Sequence, residues 1–300
     1  MSIFSQQKIH EEYFYQIHKE ILEPIIQSHS KEKLSFLNAL RGLYVVSGPS
    51  GAPTRGKTEV LPTGKNFFSI DSRGLPTESA WIVGCKSASQ IIDLYKQEHG
   101  EDLQNIAISV WATSTMRNGG EDICQILYLL GVKPIWDGPS RRVIDLEIIP
   151  LSVLNRPRVD ITLRISGMFR DAFPNLISLV YKAIKLVSLV DEDINFNPIL
   201  ASFKNGDSLN RIFGSAPGSY GAGLQELISN SSWENINDFA DSYINWSKWI
   251  YSDSNEPTEN KDELENVLKN IQVVIHNQDN REHDILDSDD YYQFHGGISS

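Results

Sequence analysis

Cysteine, positive charge and long apolar runs are all scarce in this chain of 300 residues, which has two cysteines and a formal net charge of −12. Cys85 and Cys124 are far apart and lie in apolar helical patterns, which favours buried thiols over a disulfide or a zinc knuckle and suits a reducing cytoplasm. No Lys/Arg cluster offers the positive surface that a phosphate backbone requires, so nucleic-acid binding is excluded.

Membrane insertion and export are also disfavoured. No run of about eighteen apolar residues occurs, which is the length that a spanning helix requires. Residues 1–8 lack the basic segment and apolar core of a signal peptide. We therefore expect a cytoplasmic protein that contacts no membrane.

The residues that are present predict a globular protein with a sizeable core, since 40% are hydrophobic and 10% aromatic. We expect a parallel-type α/β core with flanking helical regions, as part of a larger multidomain protein. The predicted division is a helical arm with a Gly/Pro-rich loop over residues 1–62, an α/β domain over 63–190, and a mainly helical region over 191–300.

Hydrophobic periodicity and capping residues place the elements. Apolar residues spaced by four predict a helix over residues 9–39 that Pro24 bends or ends. Thr77 and Gly100 delimit a second helix. The further predictions are strands over 106–111, 132–136, 143–149 and 159–165, and helices over 121–130, 174–190, 224–229, 236–251 and 261–277. Strand, helix and strand in alternation indicate parallel pairing, with ligands at the carboxyl ends of the strands.

Residues 51–58 match the phosphate-binding pattern G-x-x-x-x-G-K-[ST]. That site requires Lys57 and Thr58 to open a helix whose amides face the phosphates. Pro62 and Gly64 follow within a few residues and leave no room for such a helix. A rigid surface or cleft loop is therefore favoured over a nucleotide hydrolase.

Two loops carry charged residues at strand ends. In the first, Arg117 precedes a Gly-Gly pair and the acids Glu121 and Asp122, which are either ligand-facing or ordinary first-turn acids that compensate the helix dipole. In the second, Arg170 and Asp171 either face a ligand or form an internal ion pair that fixes the turn. A third, glycine-rich loop over residues 214–223 includes Tyr220 and is suited to packing on a flat ligand.

Residues 277–297 crowd carboxylates, imidazoles, amides and phenols into one short segment. Oxygen and imidazole donors together suit a borderline first-row cation better than a calcium cage. The alternative is a solvated acidic tail, but the interleaved aromatic residues Tyr291, Tyr292 and Phe294 argue against disorder.

Taken together, these motifs resemble the CobN/magnesium-chelatase H family, the large subunits of cobaltochelatase. The matching segments are Gly-Pro-Ser-Gly-Ala-Pro-Thr-Arg-Gly from Gly48, Leu-Pro-Thr-Gly-Lys-Asn-Phe from Leu61, Met-Arg-Asn-Gly-Gly-Glu-Asp from Met116, Arg-Ile-Ser-Gly-Met-Phe-Arg-Asp-Ala-Phe-Pro-Asn from Arg164, Arg-Ile-Phe-Gly-Ser from Arg211, and the run from Asn277 to Gly297. The Met116 motif and the acidic C-terminal run resemble the cobalt branch more than the magnesium branch. Family members exceed about a thousand residues, so this chain resembles a fragment of one.

The resemblance implies a ligase that forms nitrogen–metal bonds. It would insert Co²⁺, as substrate, into hydrogenobyrinic acid a,c-diamide during cobalamin biosynthesis. ATP would be hydrolysed, with Mg²⁺, by an AAA+ partner subunit and its integrin-like co-subunit, and the remaining portions of the large subunit would be partners too. The alternatives are a magnesium chelatase H-type subunit acting on protoporphyrin IX, and a non-catalytic tetrapyrrole-binding fragment.

The residues expected to act follow from the chemistry of metal insertion, in which a cation loses water and ring nitrogens lose protons. The predicted catalytic residues are Glu121, His283 and Asp284. The predicted metal ligands are Glu121, His283, Asp287, Asp289 and His295. The predicted substrate-binding residues are Arg117, Arg170, Tyr220, Tyr291 and Tyr292.

Overall fold

The computed structural model describes residues 11–51, 53, 57–68, 70–254, 256–278 and 288–299. The chain forms two compact units that are divided between Asp71 and Ser72. The three-region division of the sequence stays a prediction.

The first unit begins with a long helical arm. Helix α1 (Glu11–Ile17) continues through a π-helical turn (His18–Leu22) into α2 (Glu23–Leu40), and Pro24 lies in the first turn of α2. Proline has no N–H to donate to the preceding turn, which accounts for the widened backbone just before it. No side chain described in the π turn or in α2 is buried. The helix predicted over residues 9–39 is therefore present from Glu11 to Leu40, with its π-helical turn just before Pro24.

After the arm, β1 (Ser47–Pro49) pairs in parallel with β2 (Asn66–Phe68). Lys57 and Thr58 open no α-helix, because a single 3₁₀ turn (Thr58–Val60) is followed by extended backbone at Leu61. The structural requirement of a phosphate-binding loop is therefore missing, as predicted.

The second unit holds the α/β core. Its α-helices are α3 (Glu78–His99), α4 (Ala112–Asn118), α5 (Glu121–Leu130), α6 (Leu151–Leu154), α7 (Gly167–Ala172), α8 (Pro174–Ser188), α9 (Pro198–Asn205), α10 (Leu224–Ser229), α11 (Ile236–Ser247), α12 (Lys261–Leu268), α13 (Asp289–Tyr291) and α14 (Gly297–Ser299). A π-helical turn (Tyr292–Gly296) joins the last two. Its strands are β3 (Asn105–Val110), β4 (Val132–Trp136), β5 (Val143–Ile148), β6 (Asp160–Ile165), β7 (Ile212–Gly214), β8 (Trp249–Ile250), β9 (Thr258–Glu259) and β10 (Val273–Ile275).

Six of these strands form one sheet in the order β10-β3-β6-β7-β8-β9. The first four run parallel to one another, whereas β8 and β9 are antiparallel to their neighbours. Every residue of β6 is buried, as in sheets that helices cover on both faces. Helix α5 packs against β6, α3 and α8, and α11 packs against β7 and α12. The predicted α/β class with a parallel core is confirmed.

Three predictions are wrong in detail: one strand pairing and the ends of two helices. β4 and β5 form a separate antiparallel ribbon, because residues 137–142 between them are too few for the crossover that parallel strands need. The helix predicted over 261–277 ends at Leu268, and the β-branched run that follows becomes strand β10. The helix predicted over 236–251 likewise ends at Ser247, before β8.

Local signals in the sequence explain several boundaries. The Thr77 hydroxyl accepts a hydrogen bond from the Ala80 amide at 3.2 Å, and Gly100 closes the same helix with φ +74°.

Cys124 is buried as predicted, but Cys85 is only half-buried, and this burial raises its pKa to about 11. Among the helices that the structure describes, none combines the length and the apolarity needed to cross a bilayer.

Two positions in this unit are tightly packed. The fully buried Arg158 guanidinium donates to Glu192 at 2.6 and 2.8 Å and to the carbonyls of Leu130, Gly131 and Ile149 at 2.9 Å. Gly223 has φ +86°, and a Cβ built there would overlap the Trp246 ring.

Candidate functional site at the carboxyl edge of the sheet

The four parallel strands end at one edge of the sheet, and the residues that follow them define the candidate site. β3 is followed by Trp111, β6 by Ser166, β7 by Ser215 and β10 by His276. Ligands bind at this edge in open α/β sheets, because the loops and helix N-termini converge there. The sheet therefore brings together segments that are far apart in the sequence.

At this edge lies a group of aromatic and imidazole rings, the strand-end ring cluster, formed by Trp111, His276, Tyr291, Phe294 and His295. Ring centroids of Trp111 lie 4.4 Å from Phe294 and 5.7 Å from His276. The His276 ring also meets Tyr291 edge-on at 4.5 Å and His295 at 6.1 Å, with interplanar angles of 82° and 88°. Phe294 is buried, and the rings hold one another in place.

Three ring nitrogens in this cluster are buried and have no hydrogen-bond partner in the described parts of the chain: Trp111 Nε1, His276 Nδ1 and His295 Nδ1. Buried polar atoms are nearly always paired, so three orphans in one cluster indicate a place where something else binds. Burial, with a smaller contribution from His295, lowers the pKa of His276 to about 4. His276 is therefore neutral near pH 7 and keeps a free lone pair.

Asn277 ties this cluster to the first turn of α5. Its side-chain amide donates to Asp122 Oδ1 at 2.7 Å and to Gln125 Oε1 at 2.6 Å. Asn118 positions the turn itself, because its side-chain oxygen accepts from the Gly120 and Glu121 amides at 2.9 and 3.1 Å. The predicted Glu121 turn and the start of the predicted C-terminal segment thus lie together at this edge.

Four of the predicted catalytic or metal-binding residues lie wholly or partly outside the described residues. His283, Asp284 and Asp287 lie outside the described residues, and Asp289 opens α13 with its side chain outside the description. His295 belongs to the strand-end ring cluster. Among the residues that the structure describes, no three His, Cys, Asp or Glu side chains come together as a metal site. The assignments of these residues stay predictions.

Arg170 makes hydrogen bonds within the chain through each of its nitrogens. Nε and Nη2 pair with Asp171 at 2.7 and 2.9 Å, while Nη1 donates to the carbonyls of Ser215, Ala216 and Ser219 at 3.3, 2.6 and 3.1 Å. The internal ion pair that the sequence left open is therefore present, and it fixes the glycine-rich loop. The substrate-binding role of Arg170 stays a prediction.

Tyr220 stands at the outer end of the same network. Its hydroxyl donates to Asp171 Oδ2 at 2.8 Å, and its exposed ring lies 5.5 Å from the Arg170 guanidinium. The hydrogen bond raises the pKa of Tyr220, and those from Arg170 lower the pKa of Asp171. Arg117 lies in the last turn of α4, and Tyr292 is partly buried beside Tyr291.

Sequence reasoning missed His276, Trp111 and Arg164 as site residues. The buried Arg164 guanidinium lies 4.8 Å from the Phe294 ring and donates to the Gly221 carbonyl at 2.9 Å, so it joins the ring cluster to the glycine-rich loop. His276 directly follows strand β10, and recognition of that strand would have placed it at the ligand-binding edge.

A cavity of about 960 Å³ opens at the opposite, amino edge of the sheet. Its charged lining includes Asp160 and Arg211, which pair with each other at 2.9 Å, and no histidine lines it. The carboxyl edge is favoured as the functional site, because ring nitrogens there are unpaired within the described residues and the Glu121 turn and His295 lie there.

Comparison with known proteins agrees with this architecture. The chain matches the family model CobN/Magnesium Chelatase over residues 3–300. It is 48% identical to the aerobic cobaltochelatase subunit CobN of Pseudomonas aeruginosa over 87% of this chain and 22% of that protein. Identity to the H-type subunit of magnesium chelatase from Chlorobaculum parvum is 30% over 91% of this chain and 22% of that protein.

A solved structure shows the same fold. The catalytic subunit of cobaltochelatase from Mycobacterium tuberculosis superposes with a TM-score of 0.86 at 42% identity, over 94% of this chain and 25% of that chain. The chain thus spans about a quarter of the length of these relatives. The resemblance drawn from the motifs is confirmed, and the chain belongs to the CobN/magnesium chelatase family.

Proposed function

We propose that this chain is the part of a cobaltochelatase large subunit that receives the tetrapyrrole and the cation at the carboxyl edge of the sheet, in cobalamin biosynthesis. The observation that carries the proposal is the convergence of the Glu121 turn, Asn277 and the strand-end ring cluster on that edge. Insertion strips water from the cation and removes protons from ring nitrogens, so acids and neutral imidazoles are the groups required.

Cobalt is preferred to magnesium on two grounds. The chain is 48% identical to the P. aeruginosa cobaltochelatase subunit and 30% identical to a magnesium-chelatase subunit over similar lengths. The edge also carries neutral imidazole, which binds first-row transition metals, whereas magnesium prefers oxygen ligands and retains its water. The proposed tetrapyrrole is hydrogenobyrinic acid a,c-diamide.

In this scheme Glu121, His283 and Asp284 donate to the cation or accept ring protons, with Asp287, Asp289 and His295 behind them. Arg117 and Arg170 bind peripheral carboxylates of the ring. The aromatic rings of Tyr220, Tyr291 and Tyr292 supply flat apolar contacts. ATP is hydrolysed by an AAA+ partner with its integrin-like co-subunit, and the chain acts with the rest of the large subunit.

The test uses a complete large subunit that contains these residues, supplied with its partner subunits, ATP, Co²⁺ and the tetrapyrrole. Glu121→Gln and His283→Ala are expected to lower the rate of cobalt insertion by roughly 10²-fold or more, since each removes a proton acceptor or metal donor. Glu78→Gln is the matched control, because Glu78 also opens a helix but is exposed on α3.

Cobalt insertion is measured by the change in the visible absorption spectrum of the tetrapyrrole. Binding of the metal-free tetrapyrrole is measured by fluorescence quenching. Full insertion by both variants would contradict the proposed roles. Ring binding by the wild-type complex without any insertion would instead favour a non-catalytic tetrapyrrole-binding module.

A further inference from the structure

We infer that His276 and His295 form a two-imidazole docking site for the divalent transition-metal substrate, at the carboxyl edge of β10. The inference rests on the proposed function and adds His276, which no motif in the sequence had pointed to. In the described part of the chain, the Nδ1 atoms of both histidines are buried and have no hydrogen-bond partner.

The spacing of the two rings suits one shared ion. With metal–nitrogen bonds of about 2.1 Å and about 1.2 Å from nitrogen to ring centre, two imidazoles on one ion have centroids up to about 6.6 Å apart. The observed separation is 6.1 Å, with planes at 88° to each other. A bent ligand–metal–ligand angle places the two ring centroids slightly closer than this limit. Side-chain rotation alone can provide that small change in separation.

The surroundings hold His276 in place. Its ring is packed edge-on against Tyr291 at 4.5 Å and tilted against Trp111 at 5.7 Å. The backbone is held as well, because β10 pairs with β3 and the next residue, Asn277, is bound to Asp122 and Gln125. The site is therefore preorganised before a cation arrives.

Two imidazoles also explain selectivity and release. Neutral imidazole binds cobalt, nickel, copper and zinc ions well, whereas magnesium requires oxygen ligands in near-ideal octahedral geometry. A cation held by two protein ligands retains water in its other positions. It is thus captured from solution, yet bound weakly enough to pass to a macrocycle that offers more nitrogen ligands.

The experiment titrates the 300-residue chain with Co²⁺ alone, and calorimetry measures the affinity of the tightest Co²⁺ site. Imidazole signals are monitored in parallel by NMR. His276→Gln and His295→Gln are each expected to weaken this binding at least tenfold, and Mg²⁺ is expected not to compete. The matched control is His99→Gln, because His99 is exposed and stacks on Tyr95 at 4.3 Å, on α3.

Unchanged Co²⁺ affinity in both glutamine variants would overturn the inference, as would Mg²⁺ competing at equal concentration. Circular dichroism identifies any variant that fails to fold, and His276→Asn and His295→Asn then replace it. Tetrapyrrole binding is measured separately by fluorescence quenching and is expected to persist in the variants. If the wild-type chain does not bind the tetrapyrrole, the proposed function is weakened, but the inference of the metal site is not affected.

Discussion

Asn277 offers the sharpest test of how the candidate site is assembled, because its amide joins β10 to the first turn of α5. The two hydrogen bonds are 2.7 Å to Asp122 and 2.6 Å to Gln125, and Asp122 is only 3% exposed. A hydrogen bond to a charged partner contributes about 1.5–3 kcal/mol, and a neutral one about 1 kcal/mol. Asn277→Leu keeps the shape and is expected to lower the free energy of unfolding by about 2–4 kcal/mol.

Asn277→Asp has a larger expected effect, because it places a second carboxylate against Asp122. Two like charges about 4 Å apart repel by about 4 kcal/mol at an effective dielectric constant of about 20. The pKa of one of the two carboxyl groups is then raised in the folded state, so the folded protein binds a proton that the unfolded chain releases. The stability deficit of this variant therefore shrinks as the pH falls from 7 towards 5.

The exchange Asp122→Asn with Asn277→Asp restores one donor and one acceptor and is expected to recover at least half of the loss. Urea unfolding followed by circular dichroism measures all four proteins. Equal destabilisation by the leucine and aspartate variants at pH 7, together with no recovery in the exchange, would refute the role given to this contact.

Three further predictions concern the second unit. Arg158→Met leaves the Glu192 carboxylate, which is only 10% exposed, with Asn197 but without its ion-pair partner. It is expected to cost about 3–5 kcal/mol in urea unfolding, and Glu192→Gln in the same background should recover part of that loss. At pH 8 the pKa of about 11 makes the Cys85 thiolate about 100-fold scarcer than in a thiol with a pKa of 9.0. Iodoacetamide should therefore modify Cys85 about 100-fold more slowly in the folded protein, and equal rates in folded and urea-unfolded chain would contradict this. Gly223→Ala is expected to lower the unfolding midpoint more than Gly218→Ala, because both have positive φ but only Gly223 is blocked by a neighbouring ring.

The regular elements of the core followed from the sequence because their local signals agreed with one another. Helix α5 runs from Glu121 to Leu130 as predicted, since acids open it and Gly131 closes it in the left-handed region. The alternation of strands and helices predicted parallel pairing, which β3 and β6 show, but it did not identify β6 as the partner of β3.

The errors came from short segments, where tertiary pairing outweighs local pattern. Val273 to Ile275 continue an apolar periodicity that fits a helix, and only pairing with β3 decides for a strand. Because this strand was predicted as helix, His276 was not placed at the ligand-binding edge and was left out of the predicted site. The carbonyl partners of Arg170 were equally inaccessible, because they belong to a loop more than forty residues away.

The position of β10 sets the order in which the chain can complete its fold. Gln272 accepts hydrogen bonds from the backbone of Gln104 and Asn105, across 168 and 167 positions of the sequence. During synthesis, the β3 edge therefore stays unpaired until residues 273–275 have left the ribosome, and closing so long a loop is slow. A nascent chain cut short before Val273 would lack both the edge strand and His276, which directly follows it.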